Sequence, residues 1–582
     1  MTMEQNDLSV KVMNMYKEGD IELYRQGHLP LAAAWCRGIN LIGCINSLVP
    51  SEMELQPGLA VQAMVLDVLT GRNALYHVQQ FLEQQDREIL LGKNYAPGLF
   101  NDTNLARSLD AIAQYGTGKI VTELGIQSAR LCDLEMDVIS YDTTSTSVWG
   151  AYEDWDAEDG PLINRGHSKD GHPELNQFMT ELLCVDQGVP IFGQTRDGNS
   201  SDKTLNNEML QRIGKLMKQH GLGPGAFIYV ADSAMMTKSN LKKLAGNNFI
   251  SRLPSNFTAC GELIDEAIQA ESWQELGTQN EVATSPARPA ASYRSYETRV
   301  TIDNTSYRAV VIHSDSHDKR RNKRIDRQLV KSEKKIAKQL KKQETVFYCE
   351  ADARKAQAFC EALTAPLHYV SCTIESFEQR KPGRPAKNRP AQMQTKYRLV
   401  CKAKEDSDKM ARLRKAAGCF VLLTNVPLAD QAEGGLDSAG ILRTYKGQYG
   451  VENDFAFLKD PLVVNDLFLK TPHRIDALGM VLIIALMITR LMQRHMRKYL
   501  LDNDIEVEGL KKSIHTKRPT FYAMTWALTN IEVMLIQGER VLKSTLSLNQ
   551  QKYLAALGLD ERAYTDPVSK PKPNLKIVYN SG

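Results

Sequence analysis

The chain has 582 residues, of which 42% are hydrophobic and 24% are charged. This composition is ordinary for a soluble globular protein and leaves room for several domains. The formal net charge of +3 hides a local excess of cations. Between Lys319 and Lys342 there are twelve Lys or Arg residues and two acidic ones, a net charge of +10, whereas the rest of the chain carries −7. A basic segment on a mildly acidic chain indicates a polyanionic partner that binds at one place.

Cysteine usage and hydropathy exclude several classes of protein. The ten cysteines are scattered without a C-x-x-C pair, which predicts free thiols in a reducing compartment and argues against a structural zinc site. The N-terminal segment has no apolar signal core, so secretion is not expected. The most apolar run, Leu478 to Thr489, has about a dozen residues, whereas a membrane span needs roughly 20. We therefore expect a cytoplasmic protein, with no membrane partner and with a buried core helix at this run.

The first part of the chain, residues 1–130, is predicted to be helical. Apolar residues recur with helical spacing over 58–84, and the segment 100–116 begins with Asp and Thr residues that can cap a helix. These patterns predict a helical N-terminal region.

The next part, residues 131–255, has the pattern of an α/β sheet. Alternating and β-branched residues predict strands, and Asp186-Gln187-Gly188 predicts a hairpin between two of them. The predicted elements are strands 134–144, 177–185 and 189–196, helix 205–221, strand 226–232 and helix 237–246. Three strands, a helix, a strand and a helix is the order expected for an RNase H-like core.

The remaining chain is predicted to interrupt this core and then to complete it. Residues 256–425 mix short strands with the basic helix and a Pro/Gly-rich loop, which is typical of a mainly β insertion domain. Residues 426–500 return to helices and form the second part of the core, and residues 501–582 form a helical C-terminal region and tail. The predicted helices are 445–459, 474–497, 518–537 and 547–558.

Two aspartates lie at the ends of predicted strands of the core. Asp142 ends the alternating strand, and Asp232 ends a short apolar strand. On adjacent parallel strands their carboxylates would lie at one sheet edge, where ligand sites of α/β sheets gather. An aspartate at a strand end is commonly a turn former or a helix cap, so each residue alone has this alternative interpretation.

A third acid lies in the helix predicted over 445–459. At about 100° per residue, Tyr445, Gln448, Glu452 and Lys459 fall within roughly 60° of one another. This face combines a phenol, an amide, a carboxylate and an ammonium group, which suits a site that holds a metal ion and a phosphate together. A solvated helix face is the alternative for the Glu452 and Lys459 pair.

The three acids together predict a metal site. Close carboxylates repel one another unless a cation lies between them. Mg²⁺, or Mn²⁺ in its place, accepts such ligands together with phosphate oxygens, and a metal pair about 3.5–4 Å apart supports in-line phosphoryl displacement. Asp142, Asp232 and Glu452 are therefore candidate metal ligands and catalytic residues.

At this point the sequence resembles a DDE transposase of bacterial insertion sequences. The group with a strand-rich insertion has the signature Tyr-x2-Arg-x3-Glu-x6-Lys; Tyr445, Glu452 and Lys459 match it, and Gln448 replaces the Arg. The stretches YDTTS, ADSAM, GNSSD and LLTN and the segment 166–177 are also similar to this family. The replacement by Gln448 removes the positive charge that the family signature has at that position.

The resemblance implies a reaction and partners. The N-terminal region would bind terminal inverted repeats, and Mg²⁺-dependent hydrolysis would free a 3′-hydroxyl that joins to target DNA. Tyr445, Gln448 and Lys459 would contact DNA phosphates. A homodimer would bind double-stranded DNA in a synaptic complex, in the nucleoid of a bacterial cytoplasm. Two alternatives remain open: a metal-dependent nuclease or recombinase without strand transfer, and a non-catalytic DNA-binding derivative.

Two basic segments are candidate DNA contacts. The first is the predicted helix at 319–342, where binding to phosphates would be steeply salt-dependent; a solvated arm is the alternative. The second, KPGRPAK at 381–387, resembles an AT-hook core that enters the minor groove of A·T-rich DNA; a plain linker is the alternative. The residues proposed to contact DNA are Arg320, Arg321, Lys323, Arg324, Arg380, Lys381, Arg384 and Lys387.

Overall fold

Helices and strands are both abundant, so the fold is mixed α/β as the sequence predicts. The structure is a computed structural model. It describes residues 21–572 except 72–76, 151, 153–159, 224, 245, 280–289, 383–391, 461–470 and 512, and except the side chains of Ala234, Tyr449 and Glu452. The chain divides into two compact units, the first formed by Met1–Ser251 with Thr444–Gly582 and the second by Arg252–Arg443.

The N-terminal region is mostly helical, with two departures from the prediction. A strand precedes the helices, and the helix predicted over 58–84 ends at Val68 and a separate helix begins at Val78. Gly71 has φ 107°, a backbone conformation that an α-helix cannot contain. The elements are β1 (Ile21–Arg25), α1 (Leu29–Gly38), α2 (Leu41–Leu48), α3 (Pro57–Val68), α4 (Val78–Glu83), α5 (Arg87–Leu91), α6 (Asp102–Tyr115) and α7 (Thr117–Cys132).

The central sheet of the first unit has strand order β4-β3-β2-β5-β6. The first three strands are antiparallel, and β5 and β6 continue the sheet parallel to β2. The hairpin predicted around Asp186-Gln187-Gly188 joins β3 to β4, and all three residues have positive φ. The elements are β2 (Val138–Val148), β3 (Asn176–Val185), β4 (Val189–Arg196), α8 (Asp202–Gln219), β5 (Ile228–Ala231), α9 (Lys238–Lys243) and β6 (Asn248–Arg252).

Helices cover both faces of this sheet. Successive residues of a strand point to opposite faces. Two successive residues of β4, Phe192 and Gly193, therefore show which helix covers each face. The Arg212 guanidinium of α8 lies 5.3 Å from the centre of the Phe192 ring. On the other face, a Cβ at Gly193 would lie 2.9 Å from Ile483, which belongs to the long helix described below. The absence of a side chain at Gly193 therefore allows the long helix to approach the strand closely.

The second unit contains two antiparallel sheets. Strands β14-β9-β8-β7 lie side by side in one part of it, and β10-β13-β12-β11 form a separate four-stranded sheet. The elements are α10 (Thr258–Ala270), β7 (Gln274–Gly277), β8 (Tyr293–Ile302), β9 (Thr305–Ser314), α11 (Asp315–Leu340), β10 (Val346–Phe347), α12 (Glu350–Glu361), β11 (Thr364–Ala365), β12 (His368–Arg380), β13 (Met393–Glu405), α13 (Ser407–Lys415) and β14 (Cys419–Thr424). One long basic helix with strands on both sides is as predicted, whereas helices α10, α12 and α13 are not.

The last part of the chain is less helical than predicted. The helix expected over 518–537 ends at Leu528, and a hairpin follows it. Strand β17 pairs with β1, more than 500 residues away in sequence. The elements are α14 (Ser438–Gly447), α15 (Tyr449–Leu458), α16 (Pro472–Asp502), β15 (Val507–Glu508), β16 (His515–Thr516), α17 (Phe521–Leu528), β17 (Glu532–Ile536), β18 (Glu539–Leu542) and α18 (Leu548–Ala556).

Helix α16 is the core helix that the apolar run predicts. Its length and composition would suffice to cross a membrane, but 83% of its most apolar 18-residue window is buried inside the protein. Two of its arginines are also buried and paired, Arg490 with Asp454 and Arg494 with Asp186. Helix α16 thereby contacts both α15 and the β3–β4 turn.

Candidate active site

Asp142 and Asp232 lie side by side at one edge of the parallel strand pair. The last residue pair between β2 and β5 is Tyr141 with Ala231. Asp142 and Asp232 are the residues that follow this pair in the sequence. Asp142 was predicted to end its strand, whereas β2 continues to Val148 through its antiparallel pairing with β3. The prediction was therefore wrong about the strand end and right about the juxtaposition.

The Asp142 carboxyl is electrostatically unusual. Burial is the main cause that raises its pKa, to about 6, and the negative charges of Asp232 and Asp202 raise it further. The ammonium group of Lys169 and the Thr143 backbone amide act in the opposite direction. Asp232 itself is exposed. A cation that reached this edge would relieve the repulsion between the carboxylates.

A lysine and a third aspartate complete the edge, and the sequence did not single them out as site residues. The Lys169 ammonium nitrogen lies 2.9 Å from an Asp202 carboxylate oxygen and donates to the Thr143 carbonyl at 2.7 Å. Asp202 also accepts a 2.6 Å hydrogen bond from the Thr143 hydroxyl. Both residues fall in the stretches 166–177 and 198–202 that carried the family resemblance. That resemblance was the only sequence signal for them.

Helix α15 brings the third predicted acid, Glu452, to this side of the sheet. Its neighbours Val451 and Asp454 are buried, with 1% and 0% of their surface exposed. The Cys184 thiol of β3 donates to the Asp454 carboxylate at 3.4 Å, and Cys184 also interacts with Asp142. The Glu452 side chain lies outside the described part of the structure. The helix that carries it thus packs near Asp142.

The Asp454 and Arg490 pair holds α15 in place. Asp454 is fully buried and pairs with Arg490 of α16, whose side chain is 12% exposed. Burial raises the pKa of Asp454 to about 6 although the Arg490 guanidinium lowers it. A buried carboxylate in such a position requires its cation, so this pair fixes α15 relative to the core.

The continuous helix predicted over 445–459 is interrupted. Helix α14 ends at Gly447, α15 begins at Tyr449, and Gln448 lies between them. The amide of Gln448 donates to the Tyr445 carbonyl, and that of Val451 donates to the Gln448 carbonyl, so the junction has the tighter three-residue hydrogen bonding of a 3₁₀ turn. The angular phasing predicted for Tyr445 with Glu452 and Lys459 is therefore not kept across the junction.

Lys459 follows α15 and is already paired. Its ammonium group contacts Asp170, which also accepts a 3.5 Å hydrogen bond from the Ser147 hydroxyl of β2. A phosphate that bound Lys459 would have to compete with Asp170. The half-buried Tyr445 and Gln448 lie in and next to α14.

The predicted basic helix is α11, and its cations form an exposed surface. All twelve Lys and Arg residues between 319 and 342 are exposed, and within the described ranges of the chain none of them forms an ion pair. The buried stripe is narrow: Ile325, Ser332 and Ile336. Arg321 is exposed as a residue, but partial desolvation of its guanidinium and the nearby Arg252 and Arg324 lower its pKa. Arg320, Arg321, Lys323 and Arg324 therefore lie together on one cationic surface.

The second predicted basic segment is at the end of a long hairpin. Strands β12 and β13 pair over thirteen positions, and the last pair is Arg380 with Met393. Arg380 and Lys381 are exposed. Arg384 and Lys387 lie outside the described residues.

A large cavity of about 1310 Å³ adjoins α15 in the first unit. Gly450, Asn453 and Phe457 line it. They lie on the face of α15 next to the one that carries the buried Val451 and Asp454. Burial lowers the pKa of Lys446, another lining residue, to about 8. The charged residues that line it are mostly cationic. They are Arg25, Lys446, Arg490, Arg497 and Arg518, together with the acidic Asp460.

A comparison with protein families found a match in the N-terminal region. A family model for a domain of unknown function (DUF4277) matches residues 21–126, which extend from β1 into α7 and contain none of the candidate active-site residues. A comparison with curated proteins found no match.

Proposed function

We propose that this protein is a DDE-type DNA transposase with Asp142, Asp232 and Glu452 as its metal ligands. The observation that carries the proposal is the juxtaposition of Asp142 and Asp232 on neighbouring parallel strands, with the helix that carries Glu452 packed beside them. The chain resembles this family at the same three positions.

The strand order supports an RNase H-like core. Three antiparallel strands, then a helix, a parallel strand, a helix and another parallel strand give the order β4-β3-β2-β5-β6. In this interpretation residues 256–425 are an insertion domain between the two parts of the core. The proposed catalytic acids then come from both parts, which explains why they are far apart in sequence.

The residues of the edge would each have a defined task. Asp142, Asp232 and Glu452 would hold Mg²⁺ or Mn²⁺, which would activate a water or a 3′-hydroxyl and stabilise the leaving oxygen. Lys169 would limit repulsion among the acids before DNA binds, because it lowers the pKa of Asp142. Asp454 and Arg490 would position α15. Lys459 would exchange Asp170 for a DNA phosphate.

The cationic surface of α11 supports a polyanionic partner. A surface with twelve exposed cations and two acids suits a phosphate backbone, which dominates the affinity of DNA-binding proteins. The N-terminal region is our candidate for binding terminal repeats. We place this activity in the bacterial cytoplasm, at the nucleoid, with a homodimer holding two DNA ends.

The test is a cleavage and joining assay on the DNA that borders the gene. Oligonucleotide duplexes with the inverted repeats found there are incubated with the purified full-length chain and Mg²⁺ or Mn²⁺. We expect nicking at the repeat end and, with pre-cut ends, joining to a target plasmid. The Asp232→Asn variant should bind the duplex and neither cut nor join it.

The two alternatives give different results in the same assay. A nuclease or recombinase without strand transfer would cut the duplex and give no joined product from pre-cut ends. A non-catalytic DNA-binding derivative would bind the repeats, and Asp142→Ala would leave transposition in cells unchanged. Cutting that persists in Asp232→Asn would contradict the proposed ligand set.

A further inference from the structure

The four-stranded sheet of the second unit has five buried core residues, against which seven partly buried hydrophobic residues pack. Its cluster of buried residues consists of Ile336, Cys360, Val370, Cys372 and Leu399. Two of these five side chains are thiols. Small cores give limited stability and are commonly supplemented by disulfides or metal ions.

Three thiols meet in this core. Cys372 of β12 and Cys401 of β13 are directly opposite in the register, and their sulfur atoms are 2.8 Å apart. Cys360 projects from α12, which packs on the same strands, and interacts with both. All three sulfur atoms lie within 4.8 Å of one another. Cys360 and Cys372 have 1% and 6% of their surface exposed.

We infer that Cys360, Cys372 and Cys401 form a binding site for a thiophilic metal cation, for which Zn²⁺ is the appropriate probe. Thiolates are the ligands that such ions prefer. Zn–S bonds of about 2.3 Å hold sulfur atoms roughly 3.8 Å apart in a tetrahedral site, so the cluster reaches this geometry by small side-chain movements. A Cys372–Cys401 disulfide would use two of the thiols and leave Cys360 without a role.

Binding of the metal ion by the three thiols requires no oxidant or reductant. Three S–H bonds break, three protons pass to solvent, and three metal–sulfur bonds form, which gives a Zn²⁺ site a net charge of −1. Burial raises the pKa of Cys360 and of Cys401 to about 11, so the metal-free thiols are protonated at neutral pH. Metal affinity should therefore rise with pH, because each thiolate formed releases a proton.

Glu361 is our candidate for a fourth ligand. Its carboxylate accepts a 3.2 Å hydrogen bond from the Cys372 backbone amide and interacts electrostatically with all three cysteines. The bound ion would tie α12 to the β12–β13 hairpin. It would add stability to a core of only five buried side chains.

The experiment uses the reduced full-length chain. Metal content is measured after purification in zinc-supplemented medium, and the apoprotein is titrated with Co²⁺, whose thiolate complexes have strong charge-transfer absorption. We expect one Zn²⁺ per chain and a cobalt–thiolate spectrum. Each of Cys360→Ser, Cys372→Ser and Cys401→Ser should weaken Zn²⁺ binding by more than about tenfold, and Glu361→Gln should do so to a smaller extent.

The matched control is Cys349→Ser, because Cys349 lies in the same unit but is exposed and outside the cluster. This variant should keep full metal content and the full cobalt spectrum. Wild-type protein that takes up neither ion, with its three thiols free or with a Cys372–Cys401 disulfide in its mass spectrum, would overturn the inference. The wild-type titration decides the question even if a serine variant does not fold.

Discussion

The acidic edge of the first unit and the cationic surface of the second differ in the burial of their charged groups and in the partners of those groups. At the acidic edge Asp142 is largely buried, its position is set by the β2–β5 register, and its carboxyl interacts with Lys169, Asp202 and Asp232. On α11 the cations are exposed and none of those described has an ionic partner. Chemistry at a phosphate requires fixed geometry, whereas attraction of a DNA backbone requires only accessible charge.

Neutralising one acid should have the largest effect and should separate the two regions most clearly. We expect Asp142→Asn to lower the rate of metal-dependent DNA cleavage by at least about 100-fold, because loss of a ligand should exceed the loss of an outer partner. DNA affinity, measured by fluorescence anisotropy without metal, should stay within about twofold of wild type. A parallel loss of binding would show that the edge and the cationic surface are not separable.

Breaking the buried ion pair should have the next largest effect. Arg490→Met leaves the Asp454 carboxylate buried without its cation, which we expect to lower the free energy of unfolding by about 3–5 kcal/mol. Chemical denaturation at pH 8 measures the change. The control is Arg354→Ala, which removes an exposed pair with Glu350 on α12 and should change stability by less than about 1 kcal/mol. Equal effects would contradict the positioning role of Asp454 and Arg490.

Removing two cations from α11 should weaken DNA binding without loss of stability. We expect Arg321→Ala/Arg324→Ala to reduce the slope of log affinity against log salt by up to about 2, since each released phosphate contact contributes about 0.9. The control Lys215→Ala/Lys218→Ala removes two exposed lysines from α8 and should leave the slope unchanged. A solvated arm, the alternative for α11, predicts equal slopes for the two variants.

The smallest predicted effect is a pH dependence of stability. The pKa of Asp142 is higher in the folded protein, about 6, than its ordinary 3.8. Its contribution to stability is therefore full below pH 3.8 and lost as the pH rises through about 6. In metal-free buffer at pH 8, Asp142→Asn should raise the free energy of unfolding by roughly 1–3 kcal/mol.

Denaturation curves at several pH values, with and without Mg²⁺, measure this effect. The gain in Asp142→Asn should shrink toward pH 4, and Mg²⁺ should stabilise wild type more than the variant. Lys169→Met should raise the pKa of Asp142 further and move the acid limb of the cleavage profile to higher pH. A variant less stable than wild type at pH 8 would contradict the destabilising burial of the Asp142 carboxylate.

The sequence by itself determined the features that leave a local pattern. The hairpin at Asp186-Gln187-Gly188, the core helix around Leu478 to Thr489 and the basic helix all follow from periodicity or turn chemistry within a short segment. Asp142 and Asp232 could be paired because each belongs to or follows a recognisable strand, and adjacent parallel strands bring such positions together.

Tertiary structure alone decided what depends on distant partners. Residues 532–536 form a strand instead of the predicted helix because β1 supplies hydrogen bonds from the other end of the chain. The turn at Gln537 and Gly538, both with positive φ, is a hairpin signal that was missed.

Partners that are distant in sequence also create two contacts in the structure. One is that of Lys169 with Asp202, and the other is that of Cys360 with Cys372 and Cys401. Within each group the residues are 12 to 41 positions apart, and no local spacing such as C-x-x-C records them. Local periodicity reports which face of an element is buried, and it does not report which other element covers that face. The packing of α12 on β12 and β13 decides where the thiols meet, and strand register decides where the carboxylates meet.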